Sequence, residues 1–154
     1  MHEQNYLITA AAVVILGLLV LAFFVREGIV TSNIYKQGVK LYQDKDYKGA
    51  EAAFRQVISR HPSNDVVRLL LGDCLMQQDQ LEDATAVFQE LRLRSPKNVD
   101  ALLRLGMALV KQEKLQEAKD PLEKARNLLL VQRNTQKAES VEQLLQQITN
   151  RQIP

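Results

Sequence analysis

The sequence of 154 residues has little of what most catalytic or metal-binding domains need: one cysteine, two histidines and no tryptophan. A single cysteine, Cys74, excludes an internal disulfide framework and any multi-cysteine zinc or iron–sulfur site. Aromatic residues make up only 5%, so the apolar mass is aliphatic, which favours helices over a β-sandwich. Six glycines and four prolines are too few for a loop-rich or disordered chain.

The residues that could carry chemistry are isolated from one another. His2 lies at the extreme N-terminus, His61 precedes Pro62 in a predicted turn, and Cys74 falls at a helix position that is expected to be buried. A reactive cysteine needs an exposed, electropositive setting, and no glycine-rich phosphate loop is present. We therefore predict no enzyme and no catalytic, cofactor-binding or metal-binding residues. The net charge of +2 also argues against a nucleic-acid partner.

One long hydrophobic run stands apart from the rest of the chain. Residues 7–25 read LITAAAVVILGLLVLAFFV without a charge, and at about 1.5 Å per residue this run spans nearly 30 Å, the thickness of a bilayer core. A buried core helix and a cleavable signal peptide are the alternatives, but the run has no polar face, and no Lys or Arg precedes it. The sequence predicts a transmembrane helix at 7–25, after a short tail at 1–6 and before a linker at 26–31.

The basic residues around this run are distributed unevenly. None precedes it, whereas Arg26, Lys36, Lys40, Lys45 and Lys48 follow it. The positive-inside rule then places the C-terminal part in the cytoplasm and the short N-terminal tail on the other side. The expected localisation is a single-pass membrane protein, and the reverse topology, with the C-terminal part facing a periplasm or lumen, is the alternative.

The remaining chain repeats with a period of 34 residues. Several columns coincide at this step: Gly38, Gly72 and Gly106; Ala50, Ala84 and Ala118; Phe54, Phe88 and Leu122; Leu41, Leu75 and Leu109. Pro62 and Pro96 fall at the ends of the first two units, where they stop a helix. The pattern predicts three units, at 31–64, 65–98 and 99–132, over residues 31–130.

These units resemble tetratricopeptide repeats (TPRs), the 34-residue helix–turn–helix family. The resemblance implies an all-α fold in which each unit is an antiparallel pair of helices, A and B, with the small residues where the two helices cross. The turns between A and B are expected at 44–46, 78–80 and 112–114, and Asn64 and Asn98 as N-caps of the next helix A. An amphipathic segment at 133–149 predicts a capping helix, followed by a tail at 150–154. The complete prediction is an N-terminal transmembrane helix followed by a three-repeat TPR α-solenoid with a C-terminal capping helix.

The resemblance also implies that function lies in a concave groove lined by the A helices. The groove positions are unusually apolar, which suits a bound helix or extended peptide. The chaperone-binding branch of the family grips a carboxylate with Lys, Asn and Arg, and of the matching positions here only Arg104 fits. The predicted protein-binding residues are Tyr35, Val39, Tyr42, Leu69, Asp73, Met76, Leu103, Arg104, Met107 and Val110.

Together these features favour a membrane-anchored adaptor or scaffold. The expected partners are a protein segment in the groove and membrane lipid around the anchor, with a role in assembly or quality control of a membrane complex. In layout the chain resembles the small anchored TPR proteins that help assemble photosystem I in cyanobacteria and plastids. A permanent structural subunit of a membrane complex and a periplasm- or lumen-facing envelope protein are the alternatives.

Overall fold

The computed structural model describes residues 2–151, except for the side chains of residues 2–5 and 7–9. Met1 and residues 152–154, which belong to the two predicted tails, lie outside the described residues. Within the described part there are helices and no strands, so the all-α prediction is confirmed. The helices are α1 (His2–Gln43), α2 (Tyr47–Arg60), α3 (Asp65–Gln77), α4 (Leu81–Arg94), α5 (Val99–Lys111), α6 (Leu115–Val131) and α7 (Thr135–Arg151).

Helix α1 contains both the hydrophobic run and the first A helix, in 42 continuous residues. Residues 26–31, expected to be a linker, are helical, because the single Gly28 costs only about 1 kcal/mol of helix propensity and no proline is present. None of the apolar window beginning at Ala10 is buried, which argues against a core helix, and the helix is long and apolar enough to cross a membrane. The hydrophobic run is thus joined to the repeats by unbroken helix.

The A-to-B turns lie at 44–46, 78–80 and 112–114, as predicted. Each has the same hydrogen-bond pattern: in the second turn the N–H of Gln80 donates to the carbonyl of Leu75 and the N–H of Asp79 to that of Met76. This is the Schellman motif, which ordinarily uses glycine at its left-handed position. Here that position is non-glycine in all three turns and in the turn before α7, namely Lys45, Asp79, Glu113 and Arg133, with φ of 58–62°.

The starts of α2, α3 and α5 are capped by side chains, whereas those of α4 and α6 are not. Asn64 accepts a hydrogen bond from the N–H of Val67, and Asn98 from that of Ala101, both at 3.1 Å, which confirms the two predicted N-caps. Asp46 caps α2 in the same way. These bonds satisfy donors that the first helical turn leaves without an intrahelical partner.

The glycine of each repeat lies where helices A and B cross. A Cβ added to Gly72 would lie 2.3 Å from Cε1 of Phe88, and one added to Gly106 would lie 2.5 Å from Leu122. At Gly38 the corresponding distance, to Cε1 of Phe54, is 2.8 Å. The expected role of the glycine column is therefore confirmed, because any side chain there would push the two helices apart.

Each helix packs on the next along the chain, and successive A helices α3 and α5 also touch. The core runs through all the repeats, and Phe54, Phe88, Leu91, Leu102 and Leu122 within it are fully buried. Helix α7 closes the array, since Ala138, Val141, Leu145 and Ile148 are buried. The predicted capping helix is present, and its other face is exposed.

Candidate binding groove

A concave pocket of about 320 Å³ opens between the A helices α1, α3 and α5. Tyr42 comes from the last turn of α1, and the remaining lining residues come from α3 and α5. The lining residues are Tyr42, Asp73, Met76, Gln77, Leu103, Arg104 and Met107. The A helices present these side chains because positions three and four residues apart share one helix face.

Six of the ten predicted groove residues line this pocket together. The other four, Tyr35, Val39, Leu69 and Val110, are half-buried and pack against the core elsewhere; the Tyr35 ring lies 6.4 Å from that of Phe54. Gln77 also lines the pocket but was not predicted. Its spacing of four residues from Asp73 along α3 is the signal that could have identified it.

An ion pair joins successive repeats inside the pocket. Nε of Arg104 lies 2.7 and 3.0 Å from the two carboxylate oxygens of Asp73, and Nη1 lies 3.6 Å from Asp100. Burial raises the pKa of Asp73 above its ordinary value although Arg104 acts to lower it. Burial, followed by the charge of Asp73, raises the pKa of the Tyr42 hydroxyl.

The pocket combines this polar pair with an apolar wall. Met76 and Leu103 contribute to the wall, and Met107 is 50% exposed at its rim. Flexible thioether side chains adapt their shape to different apolar partners. The one arginine of the pocket is already held by Asp73 and Asp100, so it is not free to bind a carboxylate. The arrangement therefore suits an apolar protein segment better than a free chain terminus.

Other residues singled out in the sequence lie away from this pocket. Cys74 is completely buried, and burial raises the pKa of its thiol to about 12. His61 is exposed at the end of α2. Among the residues that the structure describes, no group of three His, Cys, Asp or Glu side chains could hold a metal ion.

Two family models, both described as tetratricopeptide repeat, match residues 41–97 and 76–128. Together they span more than half of the chain. A comparison with curated proteins finds no match.

Several solved structures share the fold. The TPR2B domain of yeast Sti1, in a pHsp70 complex, has a TM-score of 0.72 and 19% identity, and the match covers 79% of this chain and 98% of that domain. The type III secretion translocator chaperone SycD of Yersinia enterocolitica has a TM-score of 0.73 and 19% identity, covering 80% and 95%. PcrH of Pseudomonas aeruginosa, solved with the chaperone binding region of PopD, has a TM-score of 0.74 and 18% identity, covering 80% and 94%. At these identities the likeness establishes the fold, and with the two family models it shows that the chain belongs to the tetratricopeptide repeat family.

Proposed function

We propose that this chain is a membrane-anchored adaptor that holds an apolar segment of a partner protein in its concave groove. The observation that carries the proposal is the pocket between α1, α3 and α5, with the half-exposed Met107 at its rim and Met76 and Leu103 in its wall. Similar folds are described in complex with protein or peptide partners, pHsp70 for Sti1 and PopD for PcrH. The ten residues predicted for the groove are the proposed binding surface.

The occupant we favour is an internal apolar segment and not a C-terminal carboxylate. A carboxylate would have to displace Asp73 from Arg104 and approach Asp100 as well. Removing a charged partner from a part-buried pair is costly. An apolar helix or extended segment can cover Met107 and leave the ion pair intact, so this mode of binding needs no rearrangement of the pocket.

The anchor part of the proposal rests on residues 7–25 and on the composition around them. From Ala10 onward the hydrophobic portion of α1 is exposed, which in water would be unfavourable. The basic residues that follow it favour a cytoplasmic repeat domain. Because α1 continues unbroken into the first repeat, this repeat begins at the bilayer surface, and Tyr42 of the pocket lies about 25 Å beyond Val25 along the helix axis. A position beside the bilayer supports our further proposal of a role in assembly or quality control of a membrane complex.

The binding proposal is tested by crosslinking the full-length protein in native membranes and purifying it in mild detergent. We compare the wild-type chain with Met107→Glu, and with Gln89→Glu as a matched control on the exposed face of α4. The proposal predicts that one set of proteins co-purifies with the wild type and with Gln89→Glu and is depleted for Met107→Glu. Equal recovery in all three would contradict a groove-bound partner.

Topology is tested separately with a reporter fused after Pro154. A signal characteristic of the cytoplasm is expected. A periplasmic or lumenal signal would overturn the proposed orientation and leave the groove proposal standing.

A further inference from the structure

The ends of the helices form two edges of the solenoid with different chemistry. The anchor-side edge consists of the B-to-A loops at 61–64, 95–98 and 132–134 with the helix ends beside them. The far edge consists of the turns at 44–46, 78–80 and 112–114. Because the A and B helices are antiparallel, all loops of one kind lie at the same edge.

Side-chain contacts show that the anchor-side edge is continuous. Arg60, the last residue of α2, forms an ion pair with Glu27 of α1. Nη1 of Arg94, at the end of α4, donates to the carbonyl of Pro62 at 2.9 Å. The next loop is adjacent in turn, because Pro96 and Val131 line one shallow hollow. The edge therefore runs from α1 to the end of α6.

The Glu27–Arg60 pair also sets the level of this edge relative to the anchor. Glu27 lies two residues beyond Val25, the end of the hydrophobic run, which is about 3 Å along the helix axis. The headgroup layer extends about 5–8 Å beyond each face of the hydrocarbon core. If residues 7–25 span the bilayer, the first loop of the edge is at the height of the headgroups.

Exposed apolar side chains are concentrated at the same edge. Among the described residues that follow the hydrophobic run, every exposed large hydrophobic residue except Met107 in the groove lies there: Ile29, Val66, Leu93, Leu130 and Val131. Leu93 is 79% exposed and Val131 81%. Single exposed aliphatic residues are ordinary, but confinement of the whole set to one edge points to a common apolar neighbour.

The charges of the two edges differ in sign. The anchor-side loops contain Lys97 and Arg133 and no acidic residue. Neither of these two side chains forms an ion pair with any side chain that the structure describes. The far turns contain four carboxylates and two lysines: Asp44, Asp46, Asp79, Glu113, Lys45 and Lys114. Unpaired basic side chains beside exposed aliphatic ones are the combination that an anionic membrane surface attracts.

We infer that the anchor-side edge lies on the anionic bilayer surface, with Leu93 and Val131 in the headgroup region and Lys97 and Arg133 against lipid phosphates. The inference rests on the proposed membrane anchor. This edge would be a second contact between the protein and the bilayer, in addition to the anchor. The two contacts together would hold the solenoid with its far edge toward solvent. The concave groove is then oriented along the membrane surface.

The test uses full-length protein in nanodiscs of phosphatidylcholine with a minority of phosphatidylglycerol. A spin label is attached to one cysteine at a time, introduced as Leu93→Cys, Glu82→Cys or Leu16→Cys. The native Cys74 is buried, so we expect it to remain unlabelled in the folded protein, which the unsubstituted chain checks. Glu82 and Leu93 are exposed at opposite ends of α4, about 16 Å apart along its axis, which makes position 82 the matched control. Collision rates with oxygen, which partitions into lipid, are compared with those of a water-soluble nickel complex.

We expect an oxygen-to-nickel collision ratio at position 93 several-fold higher than at position 82, and a value at position 16 typical of lipid. Replacing Lys97 and Arg133 with glutamine should lower the ratio at 93 in the anionic nanodiscs and leave it unchanged in pure phosphatidylcholine.

Two results separate the inference from the anchor proposal. Equal ratios at 93 and 82 with position 16 in lipid would overturn the inference alone, whereas exposure of position 16 to nickel would overturn both. Shielding of position 93 from both reagents would show that a protein or a second copy covers the edge, which also overturns it.

Discussion

Replacement of Gly72 with alanine tests the geometry that holds each repeat together. The added methyl would lie 2.3 Å from Cε1 and 2.4 Å from Cζ of Phe88, more than 1 Å inside ordinary contact. Phe88 is fully buried, so its ring cannot move into solvent. Overpacking of this kind costs about 1–3 kcal/mol, and we expect a clash of about 3 kcal/mol for Gly72→Ala because the ring is rigid. Alanine returns about 1 kcal/mol of helix propensity, which leaves a net loss of about 2 kcal/mol.

The matched control is Gly28→Ala, at a helical glycine with nothing within 4 Å of the added Cβ. Gly28→Ala keeps the gain in helix propensity of about 1 kcal/mol without the clash. The two substitutions should therefore change the free energy of unfolding in opposite directions. Urea unfolding of the full-length protein in mild detergent, followed by circular dichroism, measures both. A loss of about 2 kcal/mol lowers Tm by about 4–8 °C in a chain of this size.

A double variant shows whether the clash is with Phe88. In Gly72→Ala combined with Phe88→Leu, the smaller side chain makes room for the methyl. The combined loss of stability should then be smaller than the sum of the two single losses by about 1 kcal/mol or more. If Gly72→Ala were as stable as Gly28→Ala, or if the two losses simply added, the crossing-glycine account would be refuted.

Four further predictions concern single side chains. Asn98→Ala removes the cap of α5 and should lower the free energy of unfolding by about 1 kcal/mol, whereas Asn98→Asp should not. Glu113→Gly removes the strain of a non-glycine residue in the left-handed conformation. It should raise the free energy of unfolding by up to about 1 kcal/mol in the same urea titration. The Cys74 thiol, whose pKa burial raises to about 12, should resist labelling at pH 8 until the chain is unfolded; rapid labelling of the folded protein would contradict its burial. The pKa of Asp73 is raised from 3.8, so the native state binds its proton more tightly than the unfolded state. Stability of the wild type should therefore fall relative to Asp73→Asn as pH rises from 3.8 through the folded pKa, and parallel pH profiles would contradict this.

The repeat fold could be predicted because packing imposes its columns directly on the sequence. Gly72 and Phe88 recur in register with the other repeats because each pair of crossing helices needs one missing side chain and one large neighbour. The proline and asparagine at each repeat boundary similarly follow from backbone hydrogen bonding. These requirements involve residues at a fixed spacing within each repeat. They therefore recur every 34 residues and can be recognised from the sequence alone.

Other features of the structure could not be predicted, because they depend on contacts between residues that are distant in the sequence or on small energy differences. Arg104 and Asp73 are 31 residues apart, and their pairing depends on how α3 and α5 are placed side by side. Arg68 occupies the position that Ile34 and Leu102 hold in the other two repeats. It is buried and pairs with Glu90 at 3.2 Å, a contact that the residues around it in the sequence do not predict.

The sequence also did not predict which turn residues adopt the left-handed conformation. Lys45 and Asp79 occupy the position at which glycine is the usual residue. The continuity of α1 through Gly28 was missed for a related reason, since one glycine is a weak helix breaker and the surrounding helix outweighs it.

The most direct test of the central claim, that the concave groove holds a protein partner, is site-specific photocrosslinking in native membranes. A photoreactive amino acid replaces Met107 at the groove rim or Gln89 on the exposed face of α4 in the full-length protein. The account predicts a discrete crosslinked protein from position 107 that is absent from position 89 and is lost when Leu103 is replaced with aspartate. No adduct at 107, or the same adducts from both positions, would contradict the claim that the groove is the binding site.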